Sequence, residues 1–210
     1  MRFLQSSSKI SQVRILAVDP GLTRCGVGVI ETGVGRRVTF LDVFVIQTAP
    51  AMPLTERLFR IHEQLRTALA KHEPDLVALE RVFAQQNVRT VMGTAQASGV
   101  VLALAGAANL AVAMHTPSEV KAAVTGNGRA NKAQVAFAVR QVLALDDDRL
   151  LPDATDALAL ALCAAWRRGM ASPPEGTTAA GMARTAASLT PAQQLWRDAE
   201  SRARRAGSRS

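Results

Sequence analysis

Between Val13 and Gln47 the chain alternates apolar runs with turn signals and leaves no room for a helix. Val13–Val18 (VRILAV) is a compact apolar run that reads as a central strand, and it stops at the turn-forming Asp19-Pro20-Gly21. Cys25–Glu31 and Val38–Gln47 read as two further strands, with the hairpin turn at Gly33–Gly35. Three strands in a row make an antiparallel meander. A doubly wound dinucleotide-binding fold alternates strand and helix from its first element, so this opening excludes it. Gly26 and Gly28 lie inside a strand, not between a strand and a helix, and do not form a dinucleotide loop.

After the meander the pattern alternates. Leu54–His72 carries apolar residues at 54, 58, 61, 65 and 69, a helical spacing ended by Pro74. Asp75–Glu80 reads as a fourth strand, Val88–Asn109 as a long helix and Ala111–His115 as a fifth strand. Ser118–Val124 is a short helix, Thr125–Asn131 a glycine-bearing loop, Lys132–Leu143 a helix, and Asp153–Arg168 a last helix starting at Pro152. This order predicts an α/β fold with a mixed five-stranded sheet and helices on both faces. No Lys, Arg, Asp or Glu occurs from Thr90 to Ser118, but the stretch is rich in Ala, Gly, Ser and Thr. It is too weakly apolar for a membrane span and is expected to form a buried helix followed by a short buried strand.

The 210 residues divide into an N-terminal extension (1–12), one α/β domain (13–169) and a tail (170–210). The tail is small, polar and turn-rich, so it is expected to be disordered, with a short basic helix possible over Pro191–Arg205. Of the formal net charge of +8, the stretch from Arg167 onward contributes eight Arg against three acids. That balance fits a polyanionic partner, nucleic acid first. Tyr is absent and aromatics make up 4% of the chain, too few for a base-stacking platform. The two cysteines, Cys25 and Cys163, form no disulfide framework and suit buried thiols in a reducing cytoplasm. No apolar leader stands in the first dozen residues.

Two acids end apolar runs. Asp19 closes the first strand and Glu80 the fourth, where a carboxylate is costly unless it is paired or bound to metal. If those strands are neighbours, the two acids converge at the carboxyl ends of the strands, where ligands of α/β sheets gather. Asp153 and Asp156 stand three apart at the start of an apolar helix and share one face. Each acid also has an ordinary explanation: Asp19 as a turn residue, Asp153 and Asp156 as partners of the helix dipole. Together, four acids from three elements raise one another's pKa, a conflict that divalent cations remove. Two Mg²⁺ ions held by carboxylates suit in-line phosphodiester displacement. No His or Cys cluster points to zinc, and Asp146–Asp148 lacks EF-hand spacing.

Four segments, ILAVDPGLTRCGVGVIE, DLVALERVFAQQN, TPSEVKAAVTGNGRANKAQV and PDATDALALAL, resemble the motifs of the RuvC family of Holliday junction resolvases, in that family's order and spacing. The resemblance runs from about Val13 to Trp166. It implies a ribonuclease H-like fold. The implied activity is Mg²⁺- or Mn²⁺-dependent cleavage of four-way DNA junctions by paired symmetric nicks, in recombination and repair. A homodimer is implied, working with a branch-migration motor of the RuvA and RuvB type. Carried over by motif, Asp19, Glu80, Asp153 and Asp156 are the catalytic, metal-binding acids. Phe83 matches an aromatic set against unpaired bases, and Lys121 and Lys132 match lysines flanking the glycine loop that serve the DNA backbone. Arg129, in the same loop, can neutralise a phosphate. Two positions depart from the pattern: Ser98 replaces an arginine common in the long helix, and Arg81 stands where an uncharged residue is common. A related ribonuclease H-like nuclease acting on RNA or RNA–DNA hybrid would share the four acids. An actin-like ATPase would need a second domain, and a silent DNA-binding module would not keep all four acids.

Overall fold

The computed structural model describes residues 12–81, 88–145 and 151–167. Its elements, in chain order, are β1 (Arg14–Asp19), β2 (Arg24–Thr32), β3 (Val38–Gln47), α1 (Leu54–His72), β4 (Leu76–Glu80), α2 (Val88–Ala107), β5 (Ala111–His115), α3 (Pro117–Thr125), α4 (Lys132–Leu143) and α5 (Pro152–Arg167). The strands form one mixed sheet in the order β3-β2-β1-β4-β5. The meander β1–β2–β3 is antiparallel, while β4 pairs parallel with β1 and β5 parallel with β4. The expected mixed sheet is present, with β1 at its centre. Phe83, the acid run Asp146–Asp148, residues 1–11 and the basic tail 170–210 lie outside the described residues.

Alternation along β1 sends its side chains into two different cores. Ile15 and Ala17 join Ala78 and the apolar faces of α3, α4 and α5 on one side of the sheet. Leu16 and Val18 join Val77, Leu79 and residues of α1 and α2 on the other. Helix α1 buries Ile61, Leu65, Ala68 and His72, the stripe its period requires. Its last turn closes on Glu73 in the left-handed region (φ 43°) just before Pro74. Helix α5 differs, because every residue from Ala154 to Ala164 except Asp156 is buried. It lies between the sheet and the α3–α4 pair, and its Ala-rich sequence permits that close packing on both sides.

The glycines of β2 explain how α5 approaches so closely. A Cβ at Gly28 would stand 3.0 Å from the backbone nitrogen of Leu158, and one at Gly26 would overlap the carbonyl oxygen of Asp153. The helix therefore rests directly on bare strand backbone, the close approach for which glycine is suited.

The stretch 90–118 departs from expectation. Helix α2 is not buried all round: Ala97, Ser98, Val101, Leu104 and Ala105 face the core, but Met92 is 55% and Leu102 42% exposed. Strand β5 is the sheet edge, with Ala111 and Met114 exposed, so it is not a buried strand either. Absence of charge in this stretch marks a one-sided apolar surface instead of complete burial. Among the described residues, no helix is long and apolar enough to cross a membrane.

Candidate active site

Asp19 and Glu80 are the last residues of β1 and β4. The parallel register pairs Val18 with Leu79, which sets the two acids side by side at the carboxyl end of the sheet. Asp19 follows Ala17 by two and Glu80 follows Ala78 by two, so both point to the face covered by α5. Helix α5 begins at that same end, with Asp153 and Asp156 in its first turns. The conditional convergence read from the sequence is thus met, because β1 and β4 are neighbours.

The electrostatics record this grouping. Burial, then the charges of Glu80, Asp156 and Asp153, push the Asp19 carboxyl up to about 7, against a smaller opposing effect of Lys132. Burial and Asp156 also raise Glu80, while Lys132 and Lys121 lower it. Acids that cannot share the site as free anions call for positive charge. Lys132 supplies some of it, its Nζ standing 3.4 Å from Asp156 Oδ2. Arg24, the first residue of β2, supplies more: its Nε stands 2.6 Å from Asp153 Oδ2.

The two lysines come from the helices around the glycine loop. Lys121 is in α3, which starts with a capping box between Thr116 and Glu119 and closes at Gly126 with φ 77°. Lys132 opens α4, which is capped reciprocally by Asn131 and Gln134. The loop between them is held locally, since Asn127 Oδ1 accepts from the Arg129 backbone N–H at 2.9 Å and the Asn127 carbonyl from the Ala130 N–H at 3.1 Å. Arg129 itself is exposed. Lys132 thus faces the acids, Lys121 is near enough to lower Glu80, and Arg129 is exposed on the adjoining loop.

The oxygen donor set suits a hard divalent cation. As the side chains stand, however, no group of three Asp, Glu, His or Cys among the described residues is arranged to hold a metal. Asp153 is engaged by Arg24 and Asp156 by Lys132.

Two departures from the family pattern can be placed. Ser98 is buried on α2, and its hydroxyl donates to the Thr94 carbonyl at 2.9 Å. Arg81 is exposed just past Glu80, and its backbone N–H donates to the His115 carbonyl at 2.8 Å. Sequence reasoning passed over Arg24. The available signal was its place two residues before Gly26, on the strand face where the glycines admit a helix.

The family model described as crossover junction endodeoxyribonuclease RuvC matches residues 15–164. The chain is 52% identical over 193 residues to the crossover junction endodeoxyribonuclease RuvC of Paenarthrobacter aurescens, covering 92% of this chain and 98% of that one. It is 57% identical over 158 residues to the protein of the same name from Mycobacterium avium, covering 75% and 84%. The fold is similar to that of T. thermophilus RuvC solved in complex with Holliday junction substrate, with a TM-score of 0.72 and 33% identity over 75% of this chain and 96% of that one. The shared sheet order and the extent of these matches lead to one conclusion: the chain belongs to the RuvC family of crossover junction endodeoxyribonucleases, with the ribonuclease H-like fold of that family.

Proposed function

We propose that the protein is a structure-selective endodeoxyribonuclease that resolves four-way DNA junctions at the carboxylate site of Asp19, Glu80, Asp153 and Asp156. The observation that carries this reading is the meeting of four acids from β1, β4 and α5, where burial first and the neighbouring acids next lift the Asp19 carboxyl to about 7. These acids would hold Mg²⁺, or Mn²⁺ in its place, as two ions per site. When bound, the cations supply the charge that activates water and stabilises the leaving oxygen of a phosphodiester.

The chain's own residues have three further tasks. Lys121 and Lys132 attract the phosphate backbone toward the acids, with Arg129 extending the positive rim. Phe83, three residues past Glu80, stacks on or wedges against bases at the junction centre, where pairing is already weak. A C₂ homodimer supplies two sites for paired nicks on strands related by the junction's own two-fold symmetry. The exposed apolar side of α2, with Met92 and Leu102, is the surface offered for that pairing. Such a nuclease works downstream of a branch-migration motor of the RuvA and RuvB type, in the cytoplasm. The domain boundaries follow the same reading, with the nuclease in 13–169 and the basic tail 170–210 adding nonspecific affinity for DNA.

The test is cleavage of a synthetic four-way junction beside linear duplex and RNA–DNA hybrid, with Mg²⁺, with Mn²⁺ and with chelator. Metal-dependent symmetric nicking of the junction is expected. Preferential cutting of hybrid would favour the RNA-directed reading, which the match to a junction-bound relative does not support.

A further inference from the structure

We propose that Arg24 is a positioning residue of this nuclease: it holds Asp153 in place over β2 and competes with the divalent cation for that carboxylate. The proposal rests on the carboxylate site described above and deepens it.

Three observations carry it. First, Arg24 Nε lies 2.6 Å from Asp153 Oδ2, although the Arg24 side chain is 45% exposed and could extend into solvent. Second, one strand fixes both parts of Asp153. Its carbonyl oxygen lies against the bare backbone of Gly26, and its carboxylate meets the side chain of Arg24, two residues earlier on the same face of β2. Third, Arg24 packs against the turn that follows Asp19, the last residue of β1. A Cβ at Gly21 would overlap the Arg24 carbonyl oxygen, and the strand register pairs Arg24 with Gln47. The segment from Asp19 to Arg24 thus delivers one acid of the site and the cation that restrains another.

The charge arithmetic gives the role its direction. A guanidinium beside Asp153 offsets the mutual repulsion of the acids when no divalent ion is bound. With an ion bound, the same guanidinium is a like charge a few ångströms away, and it weakens the ion's hold. Geometry acts in the opposite sense on turnover, because a carboxylate with a fixed rotamer is pre-oriented and a free one is not. Removing the guanidinium should therefore tighten metal binding while slowing cleavage. A residue that merely supports the fold would do neither in that combination.

The test uses the full chain, with Arg24→Gln, Arg24→Met to keep the aliphatic packing, and Arg24→Lys to keep the charge. Mn²⁺ affinity is measured by calorimetry without DNA, and junction cleavage at saturating Mn²⁺. Arg24→Gln and Arg24→Met should bind Mn²⁺ about 3- to 10-fold more tightly, from the loss of a nearby like charge. They should cut about 10-fold or more slowly, from the loss of orientation. Arg24→Lys should stay close to wild type in affinity. In the unaltered protein, the Arg24 Nε–H resonance should move during a Mg²⁺ titration with the midpoint of metal binding, a readout independent of any variant's folding. An unchanged Mn²⁺ affinity in both charge-removing variants, or an Arg24 resonance indifferent to Mg²⁺, overturns the proposal. So does a reduced salt dependence of junction affinity with metal binding unaffected, which would make Arg24 a phosphate contact instead. Failure of the underlying site looks different: wild type would bind no Mn²⁺, or Glu80→Gln would bind it as well as wild type.

Discussion

The carbonyl oxygen of Asp153 occupies the space that a side chain at Gly26 would fill. This close approach sets the height of the α5 N-terminus above β2, and with it the reach of Asp153 and Asp156 toward Asp19 and Glu80. Gly26→Ala should therefore lift the first turn of α5. We expect a stability loss of about 1–3 kcal/mol, the usual cost of overpacking, and a fall in cleavage of about 100-fold from misplaced acids. Gly28→Ala, further along β2 and against Leu158, should cost similar stability but less activity. Thermal unfolding and junction cleavage on both variants separate the two effects.

Asp19→Asn, Glu80→Gln, Asp153→Asn and Asp156→Asn are each expected to reduce cleavage about 1,000-fold or more, as loss of a metal ligand removes several kcal/mol of transition-state stabilisation. Junction binding, which rests on phosphate contacts elsewhere, should persist. A gel-shift and a cleavage assay on each variant check this, and any variant retaining a tenth of wild-type rate is not missing a ligand.

Stability without metal should depend on pH through Asp19. Its carboxyl is raised to about 7 in the fold, whereas the unfolded chain titrates near 4. Between those values the folded state holds a proton that the unfolded state has released, so stability falls as pH rises. Each pH unit across the window costs up to about 1.4 kcal/mol, and above pH 7 this dependence levels off. Chelator-treated protein should accordingly lose melting temperature from pH 5 to pH 7. Asp19→Asn should flatten that slope, and saturating Mg²⁺ should too.

Lys121→Ala and Lys132→Ala are expected to weaken junction affinity and to reduce the slope of log K against log salt by about 0.9 for each phosphate no longer neutralised. Lys132 also lowers the Asp19 and Glu80 carboxyls, so its replacement should in addition raise the pH at which those two acids ionise. A salt titration of binding for each variant measures the first effect, and an unchanged slope would assign the lysines to the acids alone.

Phe83→Ala should lower cleavage about 10- to 100-fold, the kinetic equivalent of removing one base–aromatic stack, with little change in melting temperature. A buried phenylalanine would behave in reverse, costing about 3–5 kcal/mol of stability. Unfolding and cleavage measured on one preparation distinguish the two.

The sequence made some of this legible and hid the rest for identifiable reasons. The bounds of β3, α1, β5 and α4 coincide with the pattern-based expectation, since period and punctuation are local properties. Asp19 and Glu80 stood out because an acid ending a buried strand is chemically anomalous. Their adjacency depended on β1 pairing with β4, a choice of partner that no local pattern specifies. The exposure of α2 was concealed because an uncharged helix looks buried whether or not anything covers it. Arg24 was concealed because its partner, Asp153, is remote in sequence and lies on another element.

Helix α5 is the last described element, yet it fills the space between the sheet and the α3–α4 pair. A growing chain can lay down the meander, β4 and β5 before α5 has been made, but it cannot close that layer. Two of the four acids travel with α5, so on the proposed assignment the nascent protein has no cutting site until α5 has docked. Contacts between distant parts of a chain form late in folding. On that assignment, molecules in which α5 has not docked are expected to be inert instead of promiscuous.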